Sequence, residues 1–219
     1  MHVISFVTQK GGTGKSSLSV SLAVAAEVAG ERVCILDLDP QGTTASWYAT
    51  RTADTPAVLD HNQAGALPET LARLQAAGFT LAVIDTPGID SHATRGAMRA
   101  ASLCLIPVRP SEADVKATMP TIRALEGMSQ PYALVINQAA ANRQTRLTTA
   151  VTMRLASEGP VLPVPVAARI DHQYAYALGL GVHEYAPDGK AAAEIAELWQ
   201  CCKKRMEPGH VIEQTKRCA

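Results

Sequence analysis

The feature that most constrains this chain is a glycine-rich run near its start, Lys10-Gly-Gly-Thr-Gly-Lys-Ser-Ser17, called the phosphate loop below. It follows a short apolar run, 3–7, and precedes a helix predicted over 16–29, before Gly30. Glycines let backbone N–H groups converge on an anion, and the amino end of the next helix adds a favourable dipole. This order of strand, turn and helix predicts phosphate binding, with Lys15 on the β and γ oxygens and Ser16 on Mg²⁺.

Short apolar runs alternate with segments of helical length along the rest of the chain. The pattern predicts strands at 32–36, 81–84, 103–108, 133–136 and 161–166, and helices at 67–77, 112–128, 143–157 and 190–206. Residues 40–65 read as an irregular connection. Strands that are apolar throughout, alternating with helices, predict one α/β domain, 1–207, with a mostly parallel twisted sheet and helices on both faces. The polar residues 208–219 predict a flexible tail.

Polar side chains come directly after several of the predicted strands. Asp37 and Asp39 follow the second strand, Asp85 follows Leu81-Ala-Val-Ile, and Asn137 follows Ala133-Leu-Val-Ile. The carboxyl ends of parallel strands meet at the edge of the sheet where ligands bind. An unpaired carboxylate at the end of a buried strand is costly unless a cation is near, so Asp85 predicts a metal ion beside the phosphate loop.

The phosphate loop departs from the ordinary pattern, because Gln9 stands where a glycine is usual and Lys10 is an additional lysine. In this it resembles the deviant Walker A loop of the ParA/MinD superfamily of ATPases. Asp37-Leu-Asp-Pro-Gln-Gly42 is similar to the ParA branch, and the resemblance covers residue 2 to about 200. It implies a P-loop fold that binds ATP and Mg²⁺, and a homodimer in which Lys10 contacts the partner's nucleotide.

The resemblance also implies roles for individual residues. Lys10, Lys15 and Asp39 would be catalytic, with Asp39 orienting the attacking water, and Ser16, Asp37 and Asp85 would hold the metal ion. The implied ATP-binding residues are Lys10, Gly11, Gly12, Thr13, Gly14, Lys15, Ser16, Ser17, Asn137, Val166 and Ala168. For Asn137, an adenine contact and a plain turn after the strand both fit the sequence.

Small ParA proteins suggest the biological role. The resemblance implies a cytoplasmic ATPase of weak intrinsic turnover, whose ATP dimer binds duplex DNA of the nucleoid without sequence preference. It would position a cargo, such as a plasmid, a chromosomal locus or a carboxysome, with a ParB-like adaptor that stimulates hydrolysis.

DNA binding must come from a local patch, because Lys plus Arg and Asp plus Glu both number 20. Between residues 138 and 170 stand four arginines and one glutamate, and Arg143, Arg146 and Arg169 are the predicted contacts. A solvated helix face would explain the same charges.

Two other functions are weighed against this prediction. A MinD-like membrane switch needs an amphipathic helix at its carboxyl end, but 203–219 contain few large apolar residues and Pro208 and Gly209 interrupt them. No membrane partner is therefore expected. A small-molecule kinase or ligase on the same loop type would need a substrate pocket that the sequence does not reveal.

Overall fold

The computed structural model describes residues 1–141 and 145–207. Within these residues, strands and helices alternate as far as the sixth strand, and four further helices follow it. The strands are β1 (His2–Phe6), β2 (Val33–Asp37), β3 (Ala57–Leu59), β4 (Leu81–Asp85), β5 (Leu103–Val108) and β6 (Tyr132–Ile136). The helices are α1 (Lys15–Val28), α2 (Thr43–Thr50), α3 (Leu67–Ala76), α4 (His92–Ala100), α5 (Glu112–Gly127), α6 (Arg146–Ala156), α7 (Ile170–Ala177), α8 (Val182–Tyr185) and α9 (Lys190–Met206).

The six strands form one parallel sheet in the order β3-β2-β4-β1-β5-β6. The predicted α/β class is confirmed. The register places Asp85 opposite Phe6 on one side and opposite Asp37 on the other. The last residues of β1, β2 and β4 therefore lie at the same level of one sheet edge, where the phosphate loop leaves β1.

Helices cover both faces of the sheet, as the sequence pattern predicts. Successive strand residues point to opposite faces. In β4, Val83 packs in the cluster that includes α1 and α9, whereas Ile84 packs in the cluster that includes α3 and α4. The second face continues under β5 and β6, where α5 and α6 cover it. A sheet buried on both sides explains why its strands are apolar throughout.

The connection 40–65, expected to be irregular, contains α2 and the edge strand β3. Helix α2 reads Thr-Thr-Ala-Ser-Trp-Tyr-Ala-Thr, a poor helix former by propensity. Tertiary contacts hold it in place. Trp47 is buried and its Nε1 donates to the carbonyl of Leu180 at 3.2 Å, and the Tyr176 hydroxyl donates to the carbonyl of Thr43 at 2.6 Å.

The prediction of a strand at 161–166 is wrong. The segment runs beside β6 but makes only isolated bridges with its neighbourhood, Leu134 with Val161 and Ala139 with Ala167. Prolines at 160, 163 and 165 lack the N–H groups that a continuous ladder needs. The following helix, α7, is not predicted from the sequence. Of the predicted helix 143–157, the structure describes Arg146–Ala156, and the predicted tail 208–219 lies outside the described residues.

Candidate functional site

The phosphate loop joins β1 to α1 in a conformation that requires glycine. Gly12 and Gly14 have φ values of +75° and +90°, in the left-handed region. A Cβ at Gly14 would lie 2.4 Å from Asn137 Nδ2, so the loop is packed directly against the end of β6. No side chain in the described part of the protein caps the amino end of α1. Its first N–H groups are thus left to an anion, which the helix dipole favours.

Lys15 is the buried cation of this loop, with 7% of its surface exposed. Burial lowers the pKa of its ammonium group, and the negative charges of Asp85 and Asp39 oppose that shift. The loop after β4 closes over it, because a Cβ at Gly88 would lie 3.4 Å from both Lys15 Nζ and the amide nitrogen of Gly11. Lys15 is therefore held between two glycine-containing loops, within reach of an anion bound by the backbone.

The carboxylate of Asp85 has the burial and the hydrogen-bonding pattern expected of a metal ligand. It is fully buried, and its Oδ2 accepts a hydrogen bond from Thr44 Oγ1 at 2.9 Å. Its Oδ1 is buried with no hydrogen-bond partner among the described residues. Burial raises the pKa of the carboxyl to about 6, and the nearby Ser16 and Thr44 hydroxyls oppose the shift. An orphaned carboxylate oxygen beside a serine hydroxyl fits a hard divalent cation.

Asp37 and Asp39 lie on the other side of this edge. Asp37 is buried, and its carboxylate accepts the N–H groups of Asp39 at 3.1 Å and Ala45 at 2.9 Å. Burial, together with the charge of Asp39, raises its pKa. Asp39 is half-buried and accepts the N–H of Gln41 at 3.0 Å. The structure thus brings the predicted metal residues together: Asp37 and Asp85 lie opposite each other in strand register, and the Ser16 hydroxyl is near enough to Asp85 to affect its pKa.

The two lysines of the phosphate loop lie in different surroundings. Lys10 Nζ is 3.0 Å from Asp114 Oδ1, and the same oxygen accepts Arg109 Nε at 3.0 Å. Asp114 is 3% exposed; burial raises its pKa, but hydrogen bonds from Ser111, Lys10 and Arg109 outweigh burial and leave it lowered. Asp114 is not among the residues predicted from the sequence, because a serine followed three residues later by an aspartate is typical of the start of a helix.

A pocket of about 340 Å³ opens beside the phosphate loop at the end of β6. We call it the base pocket, and its lining residues are Gly14, Ser17, Leu18, Asn137, Gln138, Ala167, Ala168, Arg169, His172 and Gln173. The predicted residues Gly14, Ser17, Asn137 and Ala168 are among them, whereas Val166 is not. Burial lowers the pKa of His172, which favours the neutral imidazole.

Two amides at the end of β6 brace the phosphate loop. Asn137 Nδ2 donates to the carbonyl of Thr13 at 2.7 Å, and Gln138 Nε2 donates to the carbonyl of Gly12 at 3.2 Å. Asn137 therefore does more than line a pocket, because it also couples the pocket to the phosphate loop. Gln138 was not among the predicted residues, since a glutamine after a strand carries no functional signal in the sequence.

The predicted DNA-contacting arginines are placed differently from one another. Arg143 lies outside the described residues, and Arg146 is exposed at the start of α6. Arg169 is only 15% exposed, and its guanidinium pairs with the buried carboxylate of Glu194 at 2.6 Å. Arg154, counted in the same local charge, pairs with Glu158. The net positive charge offered to solvent is accordingly smaller than the sequence suggests.

Residues 4–178 match the family described as the CobQ/CobB/MinD/ParA nucleotide binding domain. The chain belongs to this family. Within the described residues, the helices are all too short or too polar to cross a membrane. Two relatives are named maintenance of carboxysome distribution protein A. The protein of Halothiobacillus neapolitanus is 29% identical over 84% of this chain and 88% of its own length. That of Gloeobacter kilaueensis is 38% identical over 55% of each chain, so the match spans about half of this relative.

Solved structures of the family share the fold. The apo McdA structure from Cyanothece superposes with a TM-score of 0.77 at 14% identity, covering 94% of this chain and 100% of that one. Cell division ATPase MinD of Pyrococcus furiosus gives 0.75 at 19% identity, covering 93% and 98%. Cobyrinic acid a,c-diamide synthase of Mycobacterium smegmatis, solved with an ATP analog and magnesium, gives 0.77 at 18%, covering 97% and 98%. The predicted ParA/MinD-type fold is confirmed.

Proposed function

We propose that this protein is a ParA-type ATPase that binds ATP with Mg²⁺, dimerises around two nucleotides and positions a cargo on DNA. The observation that carries the proposal is the contrast between the two lysines of the phosphate loop. Lys15 is buried near the carboxylates of Asp85 and Asp39. The side chain of Lys10 is 29% exposed and pairs with Asp114. The burial of Lys15 supports a role on the subunit's own phosphates, and the exposure of Lys10 supports a contact with a second subunit.

The carboxylates of the site have different roles in ATP hydrolysis. Ser16, Asp37 and Asp85 hold Mg²⁺ on the phosphates, with Asp85 supplying the oxygen that lacks a partner. No set of three or more His, Cys, Asp and Glu side chains within residues 1–141 and 145–207 could hold a metal by itself. Serine, phosphate oxygens and water complete the shell, as Mg²⁺ prefers. Asp39, half-buried at the rim, orients the attacking water.

On dimerisation, Lys10 leaves its ion pair with Asp114 and contacts the nucleotide of the partner subunit. In the subunit alone, Lys10 and Arg109 both neutralise Asp114. In the ATP dimer, Lys10 reaches the partner's nucleotide and stabilises the charge that develops on its phosphates, as an arginine finger does. Arg109 then remains on Asp114, so that the carboxylate is not left buried without a cation. Intrinsic turnover is weak because the second lysine is absent from each site until dimers form.

The ATP dimer binds duplex DNA of the nucleoid through a patch that contains Arg146 and Arg143, and acts in the cytoplasm with a ParB-like adaptor. Arg146 is exposed at the amino end of α6, which supports its role. The names of the two carboxysome-distribution relatives support a protein assembly of that kind as the cargo, ahead of a plasmid or chromosomal locus.

A ligase-like activity is the second candidate, because the fold is equally close to cobyrinic acid a,c-diamide synthase, with a TM-score of 0.77. A ligase-like activity predicts that a small carboxylic acid accelerates the hydrolysis of ATP. The positioning ATPase predicts acceleration by DNA with an adaptor and no response to such acids.

The decisive experiment measures the mass of the Asp39→Ala variant by light scattering at saturating ATP and Mg²⁺. We expect a dimer, because binding is retained and hydrolysis is blocked, and a monomer when Lys10→Ala is added. Lys116→Ala, an exposed lysine on α5, is the control and leaves the dimer intact. A monomer in the Asp39→Ala variant itself would contradict the proposal. Retention of the dimer on non-specific duplex at low salt, weakened by Arg146→Ala, tests the DNA step.

A further inference from the structure

Behind the base pocket lies a buried carboxylate to which the sequence analysis assigned no role. Glu194, on α9, has none of its surface exposed. Its Oε2 accepts the backbone N–H of Ala167 at 3.0 Å, and its Oε1 accepts Arg169 Nε at 3.0 Å and Nη2 at 2.6 Å. Ala167 and Arg169 both line the base pocket. A helix from the end of the chain thus holds the wall of a pocket that opens beside the phosphate loop.

The same wall is held from its other side by the continuation of β6. The N–H of Ala139 donates to the carbonyl of Val166 at 3.0 Å, and the N–H of Ala168 donates to the carbonyl of Ala139 at 2.8 Å. Residues 166–169 are therefore fixed by β6 on one side and by Glu194 on the other. Among the described backbone hydrogen bonds, the carbonyl of Ala168 accepts none, so it is available to a ligand in the pocket.

Burying a charged pair is costly, and an apolar pair of similar volume often stabilises a fold as well or better. A charged pair with several hydrogen bonds can instead serve to specify one geometry, as buried polar groups do in some proteins. Here the geometry specified is that of the pocket wall, because Glu194 accepts hydrogen bonds from Ala167 and Arg169, which both belong to it. Substrate positioning of this kind depends on supporting groups that do not touch the ligand.

We infer that Glu194 is a positioning residue for the nucleobase. Through Ala167 and Arg169 it holds the wall that contacts the purine, and it thereby sets both the affinity for ATP and the preference for the 6-amino group of adenine. The inference rests on the proposed binding of ATP in this pocket. It also assigns Arg169 to the pocket rather than to DNA.

The test is the variant Glu194→Gln. The amide keeps the shape of the side chain but turns one acceptor into a donor, which then faces either the Ala167 N–H or the Arg169 guanidinium. We expect the Kd for Mg·ATP to rise roughly tenfold. The preference for ATP over purine riboside triphosphate, which lacks the 6-amino group, should shrink by a similar factor. Binding of inorganic tripolyphosphate with Mg²⁺, which uses only the phosphate loop, should not change.

Glu197→Gln is the matched control, because Glu197 is exposed on the same helix, and it should leave all three affinities unchanged. Equal losses for ATP and tripolyphosphate would overturn the inference, since they would mark a general effect on the fold. Unchanged ATP affinity or base preference would overturn it as well.

Arg169→Gln provides a second variant if Glu194→Gln does not fold. It removes the charged partner at the more exposed end of the pair, and we expect the same pattern at about a threefold loss. A wild-type protein that fails to bind ATP would refute the proposed function. Wild-type binding that is insensitive to both substitutions would refute only the role of Glu194.

Discussion

The phosphate end and the base end of this site are built in different ways. The phosphate end comes from eight consecutive residues, 10–17, together with the last residues of two neighbouring strands. The base pocket comes mainly from the end of β6, the segment 167–169 and helix α7, with Gly14, Ser17 and Leu18 on the side of the phosphate loop. Helix α9 holds its wall through Glu194. Phosphate binding is thus mostly a property of local backbone, because N–H groups in a tight turn bind any phosphate. Base recognition is a tertiary property that depends on segments far apart in the chain.

The two ends meet at Asn137, which donates to the phosphate loop and lines the base pocket. Substitutions at the phosphate end should therefore affect every phosphate ligand, and substitutions at the base end only nucleosides. A substitution at the junction should affect both.

Removal of the buried ammonium group of Lys15 should weaken the binding of every phosphate ligand. Lys15→Ala leaves bound phosphates without their ammonium partner inside a closed site. We expect at least a hundredfold loss of affinity, on the order of 3 kcal/mol, for both Mg·ATP and tripolyphosphate by calorimetry. Lys204→Ala, an exposed lysine on α9, serves as the control. Selective loss of ATP alone would contradict the division between the two ends.

A methyl group at the junction should disturb both ends at once. Gly14→Ala forces a left-handed residue and places a Cβ 2.4 Å from Asn137 Nδ2, so the loop must shift away from β6. We expect about a thirtyfold loss for ATP and a comparable loss for tripolyphosphate. Gly127→Ala is the matched control, because a Cβ there meets no atom within 4 Å. Normal affinity in Gly14→Ala would show that the close packing of loop and strand is unimportant.

Truncation of Asn137 should separate the effects on the two ends of the site, because it leaves the glycines of the phosphate loop intact. Asn137→Ala removes the hydrogen bond to Thr13 and one wall of the base pocket. We expect about a tenfold loss for ATP and a smaller loss, about threefold, for tripolyphosphate. Competition binding with the two ligands measures the ratio. A larger loss for tripolyphosphate than for ATP would make Asn137 a brace of the loop alone.

The smallest effect concerns the pH dependence of stability without nucleotide. Burial raises the pKa of Asp85 to about 6, so near pH 5 the folded protein holds a proton that the unfolded chain has released. Its free energy of unfolding should fall by about 1 kcal/mol as the pH rises from 5 to 7. Urea unfolding at several pH values measures this slope, which Asp85→Asn should reduce and Asp188→Asn, at an exposed site, should not. An unchanged slope in Asp85→Asn would remove Asp85 as its source.

The predicted elements differ from the observed ones where local pattern and tertiary contact disagree. The strand cores of the sheet are strongly apolar, and for five of the six the prediction agrees with the structure to within a residue or two. Helix α2 was missed because its threonines favour no helix on their own, and Trp47 and Tyr176 supply its stability through distant contacts. Segment 161–166 has a strand-like composition, but its prolines prevent a ladder.

The parallel α/β sheet, the phosphate loop and the carboxylates at the strand ends could be predicted from the sequence, because each depends on residues that are adjacent in the chain or on a repeating apolar pattern. The partners of the polar and charged side chains depend instead on the folded arrangement: Lys10 with Asp114, Asp85 with Thr44, and Arg169 with Glu194. These pairs join residues up to 104 positions apart, and no local preference specifies them. Whether an arginine faces solvent or a buried carboxylate depends on how the helices pack, and packing depends on the whole chain.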